Sequence, residues 1–139
     1  MTRIPHIQVG LFGLGTVGGS VYQLLEKNAQ TIILKLGYPI QIKKFFDPDP
    51  ARFKSLGIPA GKAAATPADI FDDPDISIIV ELIGDKPVAK EVILSALNAG
   101  KHLVTANKAI LAHHGPEIYE AAHRNGVDIL FEAAVAGSI

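Results

Sequence analysis

Three glycines and one lysine carry most of the chemistry this sequence can be read for. In VGLFGLGTVGGSV, Gly13, Gly15 and Gly18 have the spacing G-x-G-x-x-G. The first glycine of such a loop permits a tight turn, and the second lets a diphosphate reach the backbone. The third allows a helix to pack closely on a strand. Leu14, Thr16 and Val17 complete the loop, and the helix opening there offers N–H groups to phosphates. A bare match to this spacing also describes an ordinary strand-to-helix turn that binds nothing. The context favours a dinucleotide, because the loop follows the apolar strand IQVGLF directly and opens a helix.

Such a loop is commonly accompanied by an acidic residue about 20 positions further on, at the end of the second strand. Asp47 stands in KKFFDPDPAR, 29 positions past Gly18, the excess being a long intervening helix. A carboxylate there accepts from a ribose 2′-hydroxyl and repels a 2′-phosphate, which tilts the coenzyme toward NAD. Arg52 reaches a 2′-phosphate if its loop folds back, so NADP stays open. Asp47 is read equally well as a turn residue ahead of Pro48.

Lys108 is the second anomaly. It follows Asn107 in HLVTANKAILAHHG, in the first turn of a helix, where the helix dipole is least favourable to a cation. Asn107 is the expected N-cap. Lys108 then either points to solvent with no further role or faces an anionic ligand. In an open parallel sheet, ligands sit outside the carboxyl ends of the strands. Three loops leave those ends besides the glycine loop: ELIGDKP with Gly84, TANK with Thr105, Asn107 and Lys108, and EAAVAGSI with Glu132 and Gly137. Gly84 lets a nicotinamide ring close to the backbone.

These residues need a scaffold, and the hydrophobic periodicity supplies one. Strands are expected over 7–12, 40–46, 76–84, 101–106 and 127–133. Helices are expected over 16–36, with Val17, Val21, Leu24 and Leu25 on one face, and over 66–75, 86–100 and 108–126. The alternation predicts an α/β fold, a Rossmann-like doubly wound parallel sheet in three αβα layers. All of 1–139 reads as one dinucleotide-binding domain, the front part of a longer protein whose substrate domain is absent.

Composition narrows the partners. With 13 basic and 14 acidic residues the formal net charge is −1, which gives no electrostatic case for nucleic acid or an anionic membrane. No cysteine is present, so disulfides, thiol nucleophiles and Cys-based metal sites are excluded. The N-terminus lacks a signal peptide, and no apolar run approaches the ~20 residues that span a bilayer. A cytoplasmic domain is the expectation.

Taken together, GLFGLGTVGGSV, VELIG, ALNAGKHLVTANKAILAHHGPEI and FEAAVAGSI resemble the N-terminal half of homoserine dehydrogenase, across most of Ile7–Ile139. VTANKAILA followed by FEAAVAG is the selective part. The resemblance implies an NAD- or NADP-dependent enzyme that interconverts homoserine and aspartate 4-semialdehyde, a small-molecule substrate, in a parent expected to be a homo-oligomer. It places the diphosphate on Gly13–Gly18, and Thr105 and Lys108 near the nicotinamide. Lys108 becomes a candidate for orienting substrate and moving a proton at the hydroxyl, with burial and the helix dipole lowering its pKa. It also implies a monovalent cation such as sodium, held by oxygens of Glu132, Val135, Gly137 and Ile139, where an ordinary strand-end turn is the alternative. Asp85 departs from the family, which usually has a second glycine there. This segment alone is expected to bind coenzyme without completing turnover.

Other residues are not promoted. His113 and His114 are adjacent, so they point about 100° apart on a helix and cannot chelate one metal. His6, His102 and His123 are isolated, and Asp72, Asp73 and Asp75 lack ligand spacing. Glu81 is either functional or a buried carboxylate satisfied by backbone N–H groups. The competing functions are another amino-acid dehydrogenase with the same glycine loop, and a stand-alone nucleotide-binding or regulatory module.

Overall fold

Valine and isoleucine suit a pleated surface buried on both faces, and they build five parallel strands here. The structure, a computed structural model, describes residues 6–131. Strands β1 (Ile7–Phe12), β2 (Ile40–Phe46), β3 (Ile78–Glu81), β4 (His102–Thr105) and β5 (Ile129–Phe131) lie in the order β2-β1-β3-β4-β5, each neighbour parallel. The helices are α1 (Thr16–Lys27), α2 (Ala29–Leu36), α3 (Pro50–Leu56), α4 (Ala68–Phe71), α5 (Pro87–Asn98) and α6 (Lys108–Asn125). The chain winds from β1 outward to β2, then crosses back to β3 on the other side of β1. The doubly wound α/β architecture is therefore present, and its switch point lies between β1 and β3.

The two faces of the sheet have separate cores. Phe12, Ile79 and Leu103 pack with Ile70, Ile93, Leu97 and Ile118 on the face covered by α4, α5 and α6. Val9, Leu11, Ile42 and Phe45 pack with Leu14 and Ile58 on the other, joined by Val21, Tyr22 and Leu25 of α1. Burying each large apolar side chain stabilises by roughly 1.5–3 kcal/mol, and this outweighs helix propensity. The four residues of α4 are too few to form a helix alone. Ile70 anchors them from a space left by Gly10, where a Cβ would come within 2.4 Å of its side chain.

Several expectations are revised. Residues 16–36 form two helices, broken at Asn28, whose side-chain amide donates to the Leu24 carbonyl at 2.9 Å and competes with the regular pattern. Val17 and Leu24 are 52% and 57% exposed, so the packed face of α1 is formed by Gly18, Gly19, Val21, Tyr22 and Leu25 instead. Strand β3 is shorter than 76–84, and α4 is shorter than 66–75. The segment DPDPAR stops β2 as expected but also starts α3: Asp49 accepts from the Ala51 N–H, and Pro50 occupies the first turn. Helix α6 is kinked at His114, because Pro116 lacks an N–H and its ring crowds the carbonyl one turn back.

At the amino ends of β3 and β4 a polar cluster closes the sheet. Asp73 receives Lys43 at 2.8 Å and Lys44 at 3.2 Å, and its carbonyl accepts from the Lys101 ammonium at 2.6 Å. Burial pushes the Asp73 carboxyl up, but Lys43, the Asp75 N–H and Lys44 outweigh it and hold it down at about 2. A carboxylate lowered on folding stabilises above its ordinary value of 3.8, and that contribution fades as pH falls through the lowered one. Asp73→Asn is expected to cost about 1–2 kcal/mol at pH 7, because the partly exposed lysines are screened. The gap to the unaltered chain should close as pH approaches 2. Denaturant unfolding at several pH values measures it.

Candidate dinucleotide-binding site

The strands end in register. Phe46, Phe12, Glu81, Thr105 and Phe131 are successive partners across the carboxyl edge of the sheet. The loops that follow form one continuous surface, and each glycine in the first of them has a separate reason to be there. Gly13 has φ +98°, and a Cβ on it would sit 2.7 Å from the Leu82 carbonyl oxygen. A Cβ on Gly18 would stand 1.8 Å from the Gly13 carbonyl oxygen, so helix and strand touch backbone to backbone. Gly15 differs. Its φ of −71° suits any residue, and a Cβ there would meet only Arg52 Nη1 at an ordinary 3.8 Å.

Nothing inside the protein therefore requires a glycine at 15, which leaves room beside the backbone for an external group. Gly15 is also the N-cap of α1 and has no side chain to cap it. The first amides of the helix are aimed outward with no side-chain acceptor, as a diphosphate needs. Thr16 and Val17 are exposed at this point, whereas Leu14 is 3% exposed and packs in the core. The Leu14 N–H is already committed to Asp47 Oδ2 at 2.7 Å, so Leu14 fixes the loop and does not present its amide.

Asp47 is more occupied than its sequence position reveals. Besides the Leu14 amide, Oδ2 accepts from Arg52 Nη1 at 3.0 Å, and Oδ1 accepts from the Asp49 N–H at 2.9 Å. The side chain is 2% exposed. Burial pushes the carboxyl up, and the Leu14 and Asp49 amides with the Arg52 guanidinium pull it below the usual carboxylate range. The turn-residue reading of Asp47 is realised in the Asp49 bond. Beside it opens a cleft of about 420 Å³, walled by Pro48, Pro50, Phe53, Ile58, Ala63 and Ala64.

On the other side of the switch point, two loops are tied by a buried polar network. Glu81 is fully buried; its Oε1 accepts from the Thr105 hydroxyl and its Oε2 from the Ile83 N–H, both at 2.7 Å. Burial pushes the Glu81 carboxyl up, and the bonds from Thr105, Ile83 and Gly84 offset this only in part. Thr105 Oγ1 in turn accepts from the Asn107 N–H at 3.0 Å. Asn107 caps α6 by accepting from the Ile110 N–H, and its amide donates across to the Gly84 carbonyl at 2.7 Å. Gly84 has φ +92°, with open space where a Cβ would project.

Two expectations change here. Thr105 is fully buried with its hydroxyl used in both directions, so its side chain supports the loop and does not face the crevice. Lys108 is exposed, where burial was expected. Asp85 is exposed beside Gly84. The expected cation ligands Glu132, Val135, Gly137 and Ile139 lie outside the described residues. Among the described residues no cluster could hold a metal ion, and no helix is long and apolar enough to cross a membrane. The cross-loop bond of Asn107 carried no signal in the sequence, since its partner lies 23 positions away. The capped start of α3 did carry one, in Asp49-Pro50.

A parallel sheet with a switch point, a glycine loop on a bare helix start and an open second loop define a dinucleotide-binding domain. Residues 13–132 match the family described as homoserine dehydrogenase, NAD binding domain, and the chain belongs to that family. It is 45% identical to a homoserine dehydrogenase of Pseudomonas aeruginosa over 96% of this chain and 30% of that protein. To the homoserine dehydrogenase of Bacillus subtilis it is 38% identical, over 96% of this chain and 31% of that protein. A homoserine dehydrogenase structure from Thiobacillus denitrificans superposes with a TM-score of 0.84 at 41% identity, covering 94% of this chain and 30% of that one. The chain thus spans about a third of the length of the relatives it matches.

The three glycines separate experimentally. Gly13→Ala and Gly18→Ala each force backbone apart and are expected to cost more than about 2 kcal/mol in denaturant unfolding. Gly15→Ala is expected to stay within about 1 kcal/mol, yet to weaken NADH binding at least about tenfold in calorimetry. Unchanged affinity in Gly15→Ala would remove the diphosphate from this loop.

Proposed function

We propose that this chain supplies the coenzyme half of an NAD(P)-dependent homoserine dehydrogenase, which interconverts homoserine and aspartate 4-semialdehyde. The observation that carries this reading is Gly15, a glycine that neither backbone angle nor packing demands, at the uncapped start of α1. The amides of Gly15, Thr16 and Val17 would hold the diphosphate. The cleft beside Asp47 would take the adenosine half and the open side of Gly84 the nicotinamide half, with Thr105 and Asn107 holding the loops from behind. A nicotinamide dinucleotide held by these residues would supply the hydride acceptor and donor for the substrate carbon.

The residues of this chain do the rest. Lys108, exposed at the start of α6, would orient a substrate hydroxyl and hold or release its proton. A ligand's negative charge offsets the poor siting of a cation at the helix start. NAD is favoured over NADP, because the Asp47 carboxylate opposes a 2′-phosphate while the Arg52 charge is engaged with it.

Calorimetric titration tests coenzyme choice: NADH is expected to bind more tightly than NADPH, and the reverse order would overturn the reading of Asp47. Arg52→Ala should weaken NADPH more than NADH. For Lys108, the expected result of Lys108→Ala is NADH affinity within about twofold, and turnover in the enzyme of the relatives' full length lower by at least about 100-fold. Unchanged turnover would return Lys108 to a solvent-facing role.

A further inference from the structure

Glu81 is a fully buried carboxylate that the proposed reaction does not use. Burying such a group is costly unless its partners are well placed, and they are placed on two different loops. One oxygen serves the 82–86 loop through the Ile83 N–H, while the other serves the 106–108 loop through the Thr105 hydroxyl and, beyond it, the Asn107 N–H. Asn107 returns across the gap to the Gly84 carbonyl. The bonds close a ring that runs Glu81, Thr105, Asn107, Gly84 and back along the chain to Glu81. Every link is 2.7–3.0 Å, and no buried side-chain polar atom among the described residues lacks a partner.

We propose that Glu81 is a positioning residue, which through Thr105 and Asn107 locks the two loops flanking the nicotinamide half of the crevice into one rigid unit. This rests on the coenzyme reading given above. The carboxylate does not meet the coenzyme; it fixes the open side of Gly84 relative to the start of α6. The pairing of β3 with β4 stops at Glu81 and Thr105, so beyond it the Asn107–Gly84 bond is what joins these two loops to each other among the described residues. A hydrogen-bonded ring of this kind fixes relative position better than apolar contact, which tolerates sliding.

Three variants separate positioning from general stability. Thr105→Val keeps the shape and removes both hydroxyl bonds, and Thr105→Ser restores them. Asn107→Asp keeps an acceptor for the α6 cap but replaces the donor to Gly84 with a second oxygen. In the coenzyme-free chain, Thr105→Val and Asn107→Asp should each speed amide exchange at Ile83 and Gly84, on the other loop, by about tenfold or more. The amides of the core strands should keep their protection. Both variants should also weaken NADH about fivefold or more at a temperature well below unfolding, with Thr105→Ser within twofold of the unaltered chain.

Exchange that changes only next to the substituted residue would overturn the proposed coupling. Loosened loops with unchanged NADH affinity would overturn the positioning role and leave the coenzyme reading standing. An unaltered chain that binds neither NADH nor NADPH would overturn the coenzyme reading and the positioning role with it, and the exchange result would then speak for the ring alone.

Discussion

The contact between Gly18 and the Gly13 carbonyl is the constraint on which the site depends. No side chain fits between the end of β1 and the first turn of α1, so the axis of α1 is set by backbone against backbone. That fixes where its first amides point. Gly13, held at φ +98° over the Leu82 carbonyl, ties the same turn to the loop after β3. With direction and position both fixed, the remaining glycine is left free of internal duty, and the first amides of α1 are presented without a side-chain cap.

The loops along the carboxyl edge are fastened to one another in sequence. Asp47 reaches from the end of β2 to the Leu14 amide, and the Gly13 N–H donates back to the Phe46 carbonyl. Leu82 donates to Phe12, which joins the glycine loop to the loop after β3. Glu81, Thr105 and Asn107 continue the series to α6. Two carboxylates thus staple the edge, in opposite electrostatic conditions. Asp47 is held below its ordinary range by amides and a guanidinium, whereas Glu81 is pushed up by burial. Ionising Glu81 therefore works against the fold as pH rises, while Asp47 and Asp73 lose their contribution as it falls.

The sequence exposed the repeating pattern because buried parallel strands are short apolar runs and glycine turns follow them. All five strands and the glycine loop were legible for that reason. The break at Asn28 was not, since it arises from a side-chain bond competing with a helix that the periodicity alone supports. Val17 and Leu24 carried an amphipathic signal, but the close approach at Gly18 rotates the packed face toward Gly18, Gly19 and Tyr22. Within the site, residue types singled out Gly15 and Lys108 as candidates. They did not give away the occupancy of Asp47 or the cross-loop bond of Asn107, which depend on groups brought together from distant parts of the chain.

The carboxyl edge of the sheet thus carries the uncapped start of α1, a cleft beside β2, and two hydrogen-bonded loops beside β3 and β4. The chain belongs to the homoserine dehydrogenase NAD-binding family over residues 13–132. The most direct test is to follow backbone amide shifts of the isotopically labelled chain by NMR during titration with NADH. The account predicts saturable shifts concentrated at Gly15–Val17, at Ile83–Asp85 and at Ala106–Lys108, with the opposite end of the sheet around Asp73 and Lys101 unmoved. Saturable shifts centred on that opposite end, or none at Gly15–Val17, would contradict it.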